Sequence, residues 1–223
     1  MYHKNGIGNV YEKASKKIQE RGGEIIYNCK IDNIIISERN KITSINLEFP
    51  EKKNIKCDYV VSTIPIDDLV HYTENKLTNY NEMKKKIKFK HVVVVNAVLN
   101  KAQFSDCHWI YLVNEKFYFN RLSEQKNFSK SCAPPDKTLI MLEVILDFED
   151  EEWNWNGEQW REKVEKDLSL LGVSPKEIED IWTTKMEKAY PIFLVGYEKV
   201  KEKVFNDFTN FNNIVSTGRY GFF

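Results

Sequence analysis

A dense series of structural signals in residues 6–65 most strongly limits what this chain can fold into. An amphipathic pattern over residues 9–20 predicts a helix, and Gly22 predicts a left-handed end to it. Two alternating segments on either side of residues 37–41 predict a hairpin from residue 31 to residue 47. A helix that is followed at once by strands predicts a mixed α and β architecture.

The segment 59–63 has the character of a central strand. Residues 59–61 are apolar without a polar alternate, as in parallel strands that are covered on both faces. The pattern predicts a buried strand beside a second strand at residues 24–27. Small or hydroxyl side chains follow its apolar part, where they would let a ligand approach the backbone: Ser62, Thr63 and Pro65.

The sequence changes character after residue 65, and a second domain is predicted there. The β-branched run at residues 91–99 predicts a long strand. Further strands are predicted at residues 109–113, 117–120, 138–145, 182–189 and 213–217. Helices are predicted at residues 79–86, 158–171 and 198–208, a short helix or turn at 67–71, and a capped helix start at 174–177.

Composition and charge exclude several classes of function. Lysine and arginine equal aspartate and glutamate at 33 each, so no net field favours nucleic acid or an anionic membrane. No apolar run approaches the roughly 18 residues that a membrane span needs, which favours a cytoplasmic location. The four cysteines are scattered without a C-x-x-C pair, so we expect reduced, mostly buried thiols and no zinc site or disulfide.

The sequence carries no signature of acid–base or metal catalysis. Metal ligands must converge, so the acidic residues in 147–152 are interpreted as a solvated turn. The histidines lack ligand spacing, and no nucleophile elbow is present. Gly6 and Gly8 precede a helix without a strand before them, so we interpret them as a helix start and not as a dinucleotide fingerprint. Catalytic residues therefore stay unassigned.

The order of several segments carries a family resemblance. They are "GIGNVYEKASKKIQERGGEIIYNCKIDNIII", "KITSINLE", "CDYVVSTIPIDDLV", "FNRLSEQKNFS" and "GRYGFF". In this order they resemble the middle of the flavin-dependent amine oxidase, protoporphyrinogen oxidase and phytoene desaturase superfamily, and they look most like the UDP-galactopyranose mutase-like oxidoreductases. The resemblance implies an α+β fold in which residues 1–65 form part of a Rossmann-like FAD-binding domain. Residues 66–212 would form a mixed-sheet substrate-binding domain, and residues 213–223 would return to the FAD-binding domain.

The resemblance also implies a function. The chain would be the substrate-binding portion of a flavoprotein, an FAD-dependent oxidoreductase or mutase acting on a small molecule, for which a nucleotide sugar is one candidate. In such enzymes the cofactor carries the reaction, which explains why acid–base residues are scarce. The implied cofactor contacts are Ile31, Ser62, Thr63, Pro65, Gly218 and Arg219. The implied substrate contacts are Arg121, Tyr190 and Tyr197.

Each ligand contact has a structural alternative. Arg121 follows the predicted strand at 117–120, where its guanidinium could bind a phosphate or carboxylate, or could pair with Glu124 or Glu143. Glu143 itself is expected to face solvent. The two tyrosines could belong to the core, and Arg219 could form a structural ion pair.

The family's glycine turn for the FAD pyrophosphate and its last flavin-contacting segment are missing from these residues. We therefore expect a fragment that retains no FAD by itself and has no oxidase activity. The alternative is a flavin-free nucleotide-sugar-binding module, or a relic without catalysis. The sequence leaves the oligomeric state open, a homo-oligomer included.

Overall fold

The structure is a computed structural model, and it describes residues 3–73 and 85–221. The chain forms two compact units, Met1–Ile25 with Lys90–Ala189 and Ile26–Phe89 with Tyr190–Phe223. Helices and strands are mixed in both units, which confirms the predicted α+β fold. The domain boundaries at residues 65 and 212 stay a prediction, because this division reflects compactness alone.

The first unit is organised around a five-stranded sheet in the order β6-β7-β8-β5-β9. Neighbours from β6 to β5 pair antiparallel. The predicted strands at residues 91–99, 138–145 and 182–189 are confirmed, and the one at 109–113 is shorter than predicted. The strands are β5 (Ile87–Leu99), β6 (Trp109–Tyr111), β7 (Arg121–Glu124), β8 (Thr138–Leu146) and β9 (Ile178–Phe193).

The prediction of a strand at residues 117–120 is wrong. The backbone N–H groups of Tyr118 and Phe119 donate to Oδ2 of Asp167 at 2.7 and 2.9 Å. These donors are therefore occupied by a side chain from helix α4 (Gly157–Leu170) and not by a neighbouring strand. The strand in this region is β7, which Arg121 begins instead of following a strand.

The core of the first unit contains the inner faces of the sheet and of α4. A capping box between Asn156 and Gln159 starts the helix, and Gly172 follows it with a φ of 83°. Trp160, Val164 and Leu168 are fully buried at the helical spacing that predicted them. Helix α3 (Gln125–Phe128) follows β7, and 3-10 turns lie at Lys130–Cys132, Glu151–Asn154 and Pro175–Glu177. The predicted capping box at Ser174 is present, but it starts only the last of these turns and not an α-helix, because β9 begins at Ile178.

Helix α1 (Gly8–Glu20) forms as predicted and starts at the second glycine of the Gly6-x-Gly8 pair. Gly22 ends it with a φ of 82°. Its apolar stripe, however, is not buried against any residue that the structure describes: Val10, Tyr11 and Ile18 are all exposed. The helix pattern predicts a partner surface for this stripe that the described residues do not supply.

The second unit contains a three-stranded antiparallel sheet, β1 (Lys30–Ile36), β2 (Ile42–Phe49) and β3 (Lys53–Lys56). The first two strands are the predicted hairpin, which is confirmed. Side-chain amides link the strands, since Asn46 donates to Asn33 at 2.8 Å and Asn54 donates to Asn46 at 2.6 Å. The short lysine-bearing β3 was not predicted, because its polar sequence carries no apolar alternation.

A second, two-stranded sheet pairs β4 (Val60–Ser62) with β10 (Ile214–Ser216) in parallel. The predicted strand at residues 24–27 does not form. The prediction of a buried central strand at 59–63 is therefore wrong: Tyr59 is 80% exposed and Val61 is 70% exposed. Val60 packs on the core of the unit, whereas nothing among the described residues covers the other face of this strand pair.

Helices α2 (Ile66–Tyr72) and α5 (Tyr197–Thr209) pack their apolar faces into the core of the second unit, and both confirm predictions. Helix α6 (Gly218–Gly221) follows β10 directly. The helix predicted at residues 79–86 falls largely outside the described residues. Among the helices of the described ranges, none has the length and apolarity to cross a membrane. The cytoplasmic location stays a prediction.

Candidate functional site

The carboxyl ends of β4 and β10 meet in the second unit. Ser216 lies opposite Ser62 in the parallel register, and the N–H of Thr217 donates to the Ser62 carbonyl at 2.9 Å. In open α/β sheets ligands bind at the carboxyl ends of parallel strands. The register therefore brings four predicted cofactor contacts to one place: Ser62, Thr63, Gly218 and Arg219.

Gly218 gives this place an accessible backbone. Its φ of 79° is one that side-chain-bearing residues rarely adopt, and a Cβ there would touch Thr63 at 3.7 Å. The guanidinium carbon of the next residue, Arg219, lies 5.3 Å from the centre of the Tyr190 ring. This cation–π contact holds a positive charge beside the strand ends, and no described acid pairs with Arg219.

The hydroxyl of Ser62 is an unsatisfied polar group within the described residues. The side chain is buried, and its Oγ has no hydrogen-bond partner in residues 3–73 and 85–221. Buried hydroxyl groups are normally satisfied, so this orphaned one marks a donor and acceptor that a group outside the described residues could satisfy.

The other predicted contacts of this unit have mainly structural surroundings. Ile31 lies opposite Leu47 in the hairpin and packs against the apolar core. Pro65 precedes α2, and Tyr197 begins α5 with its ring 4.8 Å from that of Phe193. Their ligand roles stay predictions.

Part of one face of the sheet in the first unit is accessible, at β6, β7 and β8, and we call this part the open sheet face. The register aligns Trp109 with Ser123 and Met141, and Tyr111 with Arg121 and Glu143, so these six side chains share a face. The intervening residues of each strand point into the core instead. A shallow cavity of about 240 Å³ on the open face is lined by Trp109, Arg121, Ser123, Gln125, Phe128, Met141 and Glu143.

Arg121 forms a bidentate ion pair with Glu143 on this open face. Its Nε and Nη2 donate to Oε1 at 3.0 and 2.8 Å, and Nη2 also donates to Oε2 at 2.6 Å. The expectation that Glu143 faces solvent is wrong, because the strand register places it directly opposite the arginine. An anion that binds Arg121 would have to compete with this carboxylate, so its ligand role stays a prediction.

Double-mutant analysis should detect this ion pair as a coupling. Each single substitution lowers the free energy of unfolding. We expect the double variant Arg121→Met, Glu143→Gln to lose about 1–2 kcal/mol less than the sum of the two single losses, because the side chains are only 33% and 17% exposed. Urea denaturation of the wild type, both single variants and the double variant measures this. Additive costs would show that the pair contributes nothing specific.

Aromatic side chains form one wall of the open face. Trp109 stacks on Phe128 with ring centres 6.0 Å apart, and His108 meets Phe128 edge-on at 4.9 Å. Trp109 and Tyr111 remain exposed and could stack on a flat ring of a ligand. Sequence reasoning missed Trp109, Gln125 and Phe128, although the alternation of Trp109 and Tyr111 was a usable signal for one face of a strand.

Cysteines, histidines and acids are the side chains of the described residues that could bind a metal ion. No cluster of three or more potential ligands occurs in the described parts of the chain. All four cysteines are free, but Cys29 and Cys107 are exposed, so the expectation of mostly buried thiols is wrong. Asp147 of the acidic block pairs with Lys90 at 2.7 Å.

The strand ends fit part of an FAD molecule. Open backbone at Gly218, the charge of Arg219 and the orphaned hydroxyl of Ser62 suit a polar, planar group. A pyrophosphate needs a strand, a glycine turn and a helix N-terminus together, and the residues at the ends of β4 and β10 are not such a set.

Several solved structures share this fold. Reduced UDP-galactopyranose mutase matches with a TM-score of 0.80 and 21% identity over 97% of this chain and 46% of that chain. A candidate protoporphyrinogen oxidase from Exiguobacterium sp. 255-15 has a TM-score of 0.68 and 16% identity, covering 94% and 45%. A double mutant of putrescine oxidase has a TM-score of 0.61 and 13% identity, covering 87% and 43%.

This chain thus spans less than half the length of those three structures. No curated protein matches it. The sequence model of the family described as flavin containing amine oxidoreductase matches residues 1–204, which is most of the chain. The chain therefore belongs to the flavin containing amine oxidoreductase family.

Proposed function

We propose that this chain is the substrate-binding portion of an FAD-dependent oxidoreductase or mutase, together with one flank of its FAD-binding domain. The observation that carries the proposal is the meeting of Ser62 and Thr63 with Gly218 and Arg219 at the carboxyl ends of parallel strands. Residues 1–65 and 213–223 would belong to the FAD-binding domain, and residues 66–212 to the substrate domain.

The residues of the strand ends would orient the cofactor. When bound, FAD supplies the hydride transfer or the nucleophile. Gly218 would allow its ring to approach the backbone, and Arg219 would place a positive charge whose direction is set by the Tyr190 ring. Ser62 would supply a hydrogen bond that no described residue takes.

The open sheet face is the proposed substrate surface. Exposed Trp109 and Tyr111 offer aromatic faces, and Arg121 with Glu143 offers a fixed donor and acceptor pair beside them. This combination suits a ring-containing polar ligand, and a nucleotide sugar is one candidate, which the fold similarity to UDP-galactopyranose mutase supports. Tyr190 and Tyr197 are proposed as further substrate contacts.

Flavin retention tests the proposal. The 223-residue chain by itself is expected to purify without FAD, and the same chain co-expressed with a strand–glycine turn–helix segment is expected to retain FAD, because that segment adds the pyrophosphate contacts. Visible flavin absorbance and FAD released on denaturation measure the content of each preparation.

A matched pair of glycine substitutions tests the strand-end site in the FAD-retaining preparation. Gly218→Ala and Gly172→Ala impose the same strain, since their φ angles are 79° and 83°, but Gly172 lies in a helix end of the first unit. Only Gly218→Ala is expected to reduce FAD affinity, by about tenfold.

Three results would contradict the proposal. Stoichiometric FAD in the unaided chain would show that it is not a partial binding unit. Equal FAD loss in both glycine variants would remove the strand ends from the site. If the chain co-expressed with the strand–glycine turn–helix segment stays colourless but binds a nucleotide sugar, the flavin-free binding module is favoured.

A further inference from the structure

Half-buried Lys126 donates hydrogen bonds to four backbone carbonyl groups. Its Nζ lies 2.8 Å from the oxygen of Ala102, 2.7 Å from that of Pro134, and 2.8 Å from those of Pro135 and Lys137. An ammonium group has three protons, so four acceptors at nearly equal distance surround it as ligands surround an ion. We call this set of four oxygens the carbonyl cage.

The geometry of the carbonyl cage suits a monovalent cation. Calcium takes oxygen ligands at about 2.3–2.6 Å and magnesium at about 2.0–2.1 Å, which is shorter than these distances. Rings of backbone carbonyls can replace the hydration shell of potassium, and ammonium is of similar size. Lys126 thus fills a position that a free monovalent ion could occupy.

The cage joins helix α3 to two separate loops. Ala102 lies before β6, whereas Pro134, Pro135 and Lys137 lie just before β8. A helix of four residues cannot persist unaided, so contacts outside it must fix its position.

Side chains on either side of Lys126 bind the same surroundings. The Asn127 amide donates to the carbonyls of Ser105 and Cys107 at 2.8 and 2.7 Å, and Glu124 accepts the N–H groups of Phe104 and Ser105. Gln125 and Phe128, which line the open sheet face, therefore lie directly beside these support residues in sequence.

We propose that the ammonium of Lys126 is a tethered monovalent cation in the carbonyl cage, and that it is a positioning residue for Gln125 and Phe128. Removal of the side chain leaves a site that binds potassium or ammonium ions. The proposal rests on the proposed function only in treating the open sheet face as a ligand surface.

Cation rescue of the full 223-residue chain tests this assignment. In N-methylglucamine chloride, Lys126→Ala is expected to melt about 5–10 °C below the wild type, because carbonyls lose a charged donor. At equal ionic strength, potassium or ammonium chloride should restore at least half of that loss. Lys126→Met should stay low in every salt, because its side chain fills the space without charge.

The position of α3 gives a second readout. Phe128 meets the His108 ring edge-on, so its movement shifts the proton resonances of that ring, which His108→Gln identifies among the four histidines. Lys126→Ala should shift them in N-methylglucamine chloride, and potassium should return them. The proposal fails if the melting loss is the same in all salts, or if the His108 signals stay unmoved when the melting temperature falls.

A variant that folds in potassium chloride but not in N-methylglucamine chloride would support the proposal, and one that folds in neither would contradict it. Neither readout involves FAD or a substrate. Failure of the cation rescue is therefore distinguishable from failure of the proposed function.

Discussion

Asp167→Ala is expected to lower the free energy of unfolding by about 3–5 kcal/mol. Asp167 is fully buried on α4, and one of its oxygens accepts the backbone N–H groups of both Tyr118 and Phe119. Alanine would leave one buried donor, at Phe119, and one part-buried donor, at Tyr118, without this acceptor, and it would free the segment before β7. Urea denaturation at constant temperature measures the loss.

Asp167→Asn is the matched control. The two N–H groups share Oδ2, whereas Oδ1 has no partner within the described chain, so an asparagine can keep its oxygen at the shared position. We expect a cost of only about 1 kcal/mol for this variant. Equal losses for alanine and asparagine would show that negative charge, and not acceptance of these two hydrogen bonds, stabilises the segment.

Asp167 also explains one failure of the sequence prediction. Residues 117–120 have the aromatic composition of a strand, and composition alone cannot reveal that a carboxylate 49 positions further on takes their donors. The long strand β5 and helix α4 were predictable, because β-branched residues and buried positions at helical spacing report local structure directly.

The prediction of a buried strand at residues 59–63 was wrong for a different reason. Its unbroken apolar run predicts that other residues cover both faces of the strand. Val61, however, is exposed, and no described residue covers its face of the strand. The exposed stripe of α1 is the same kind of case. Both patterns encode a packing requirement that the described residues do not satisfy.

The two parts of the candidate site differed in how well the sequence revealed them. Gly218 and Arg219 were predicted as cofactor contacts through the family resemblance, and the parallel register brings their segment to Ser62 and Thr63. The open sheet face was found only through Arg121, because the alignment of Trp109 with Met141 depends on register across three strands. Register is set by distant pairing, which no single segment records.

Glu124→Gln is expected to destabilise the first unit by about 3–5 kcal/mol, although the same change at Asp167 is mild. Glu124 is fully buried and uses both oxygens. Oε1 accepts from the Phe104 N–H at 2.8 Å and the Thr138 hydroxyl at 2.6 Å, and Oε2 accepts from the Ser105 N–H at 2.7 Å.

A glutamine must place its NH₂ group against one of those two backbone N–H donors, whichever way the amide turns. Two donors then face each other in a buried position, and neither can rotate away as a hydroxyl could.

Thr138→Val, which removes one donor and leaves both N–H contacts, should lower the free energy of unfolding by only about 1 kcal/mol. Glu143→Gln gives the same chemical change on the neighbouring, partly exposed strand position. If urea denaturation shows Glu124→Gln to be no more destabilising than Glu143→Gln, the buried carboxylate is not the fixed acceptor that its geometry indicates.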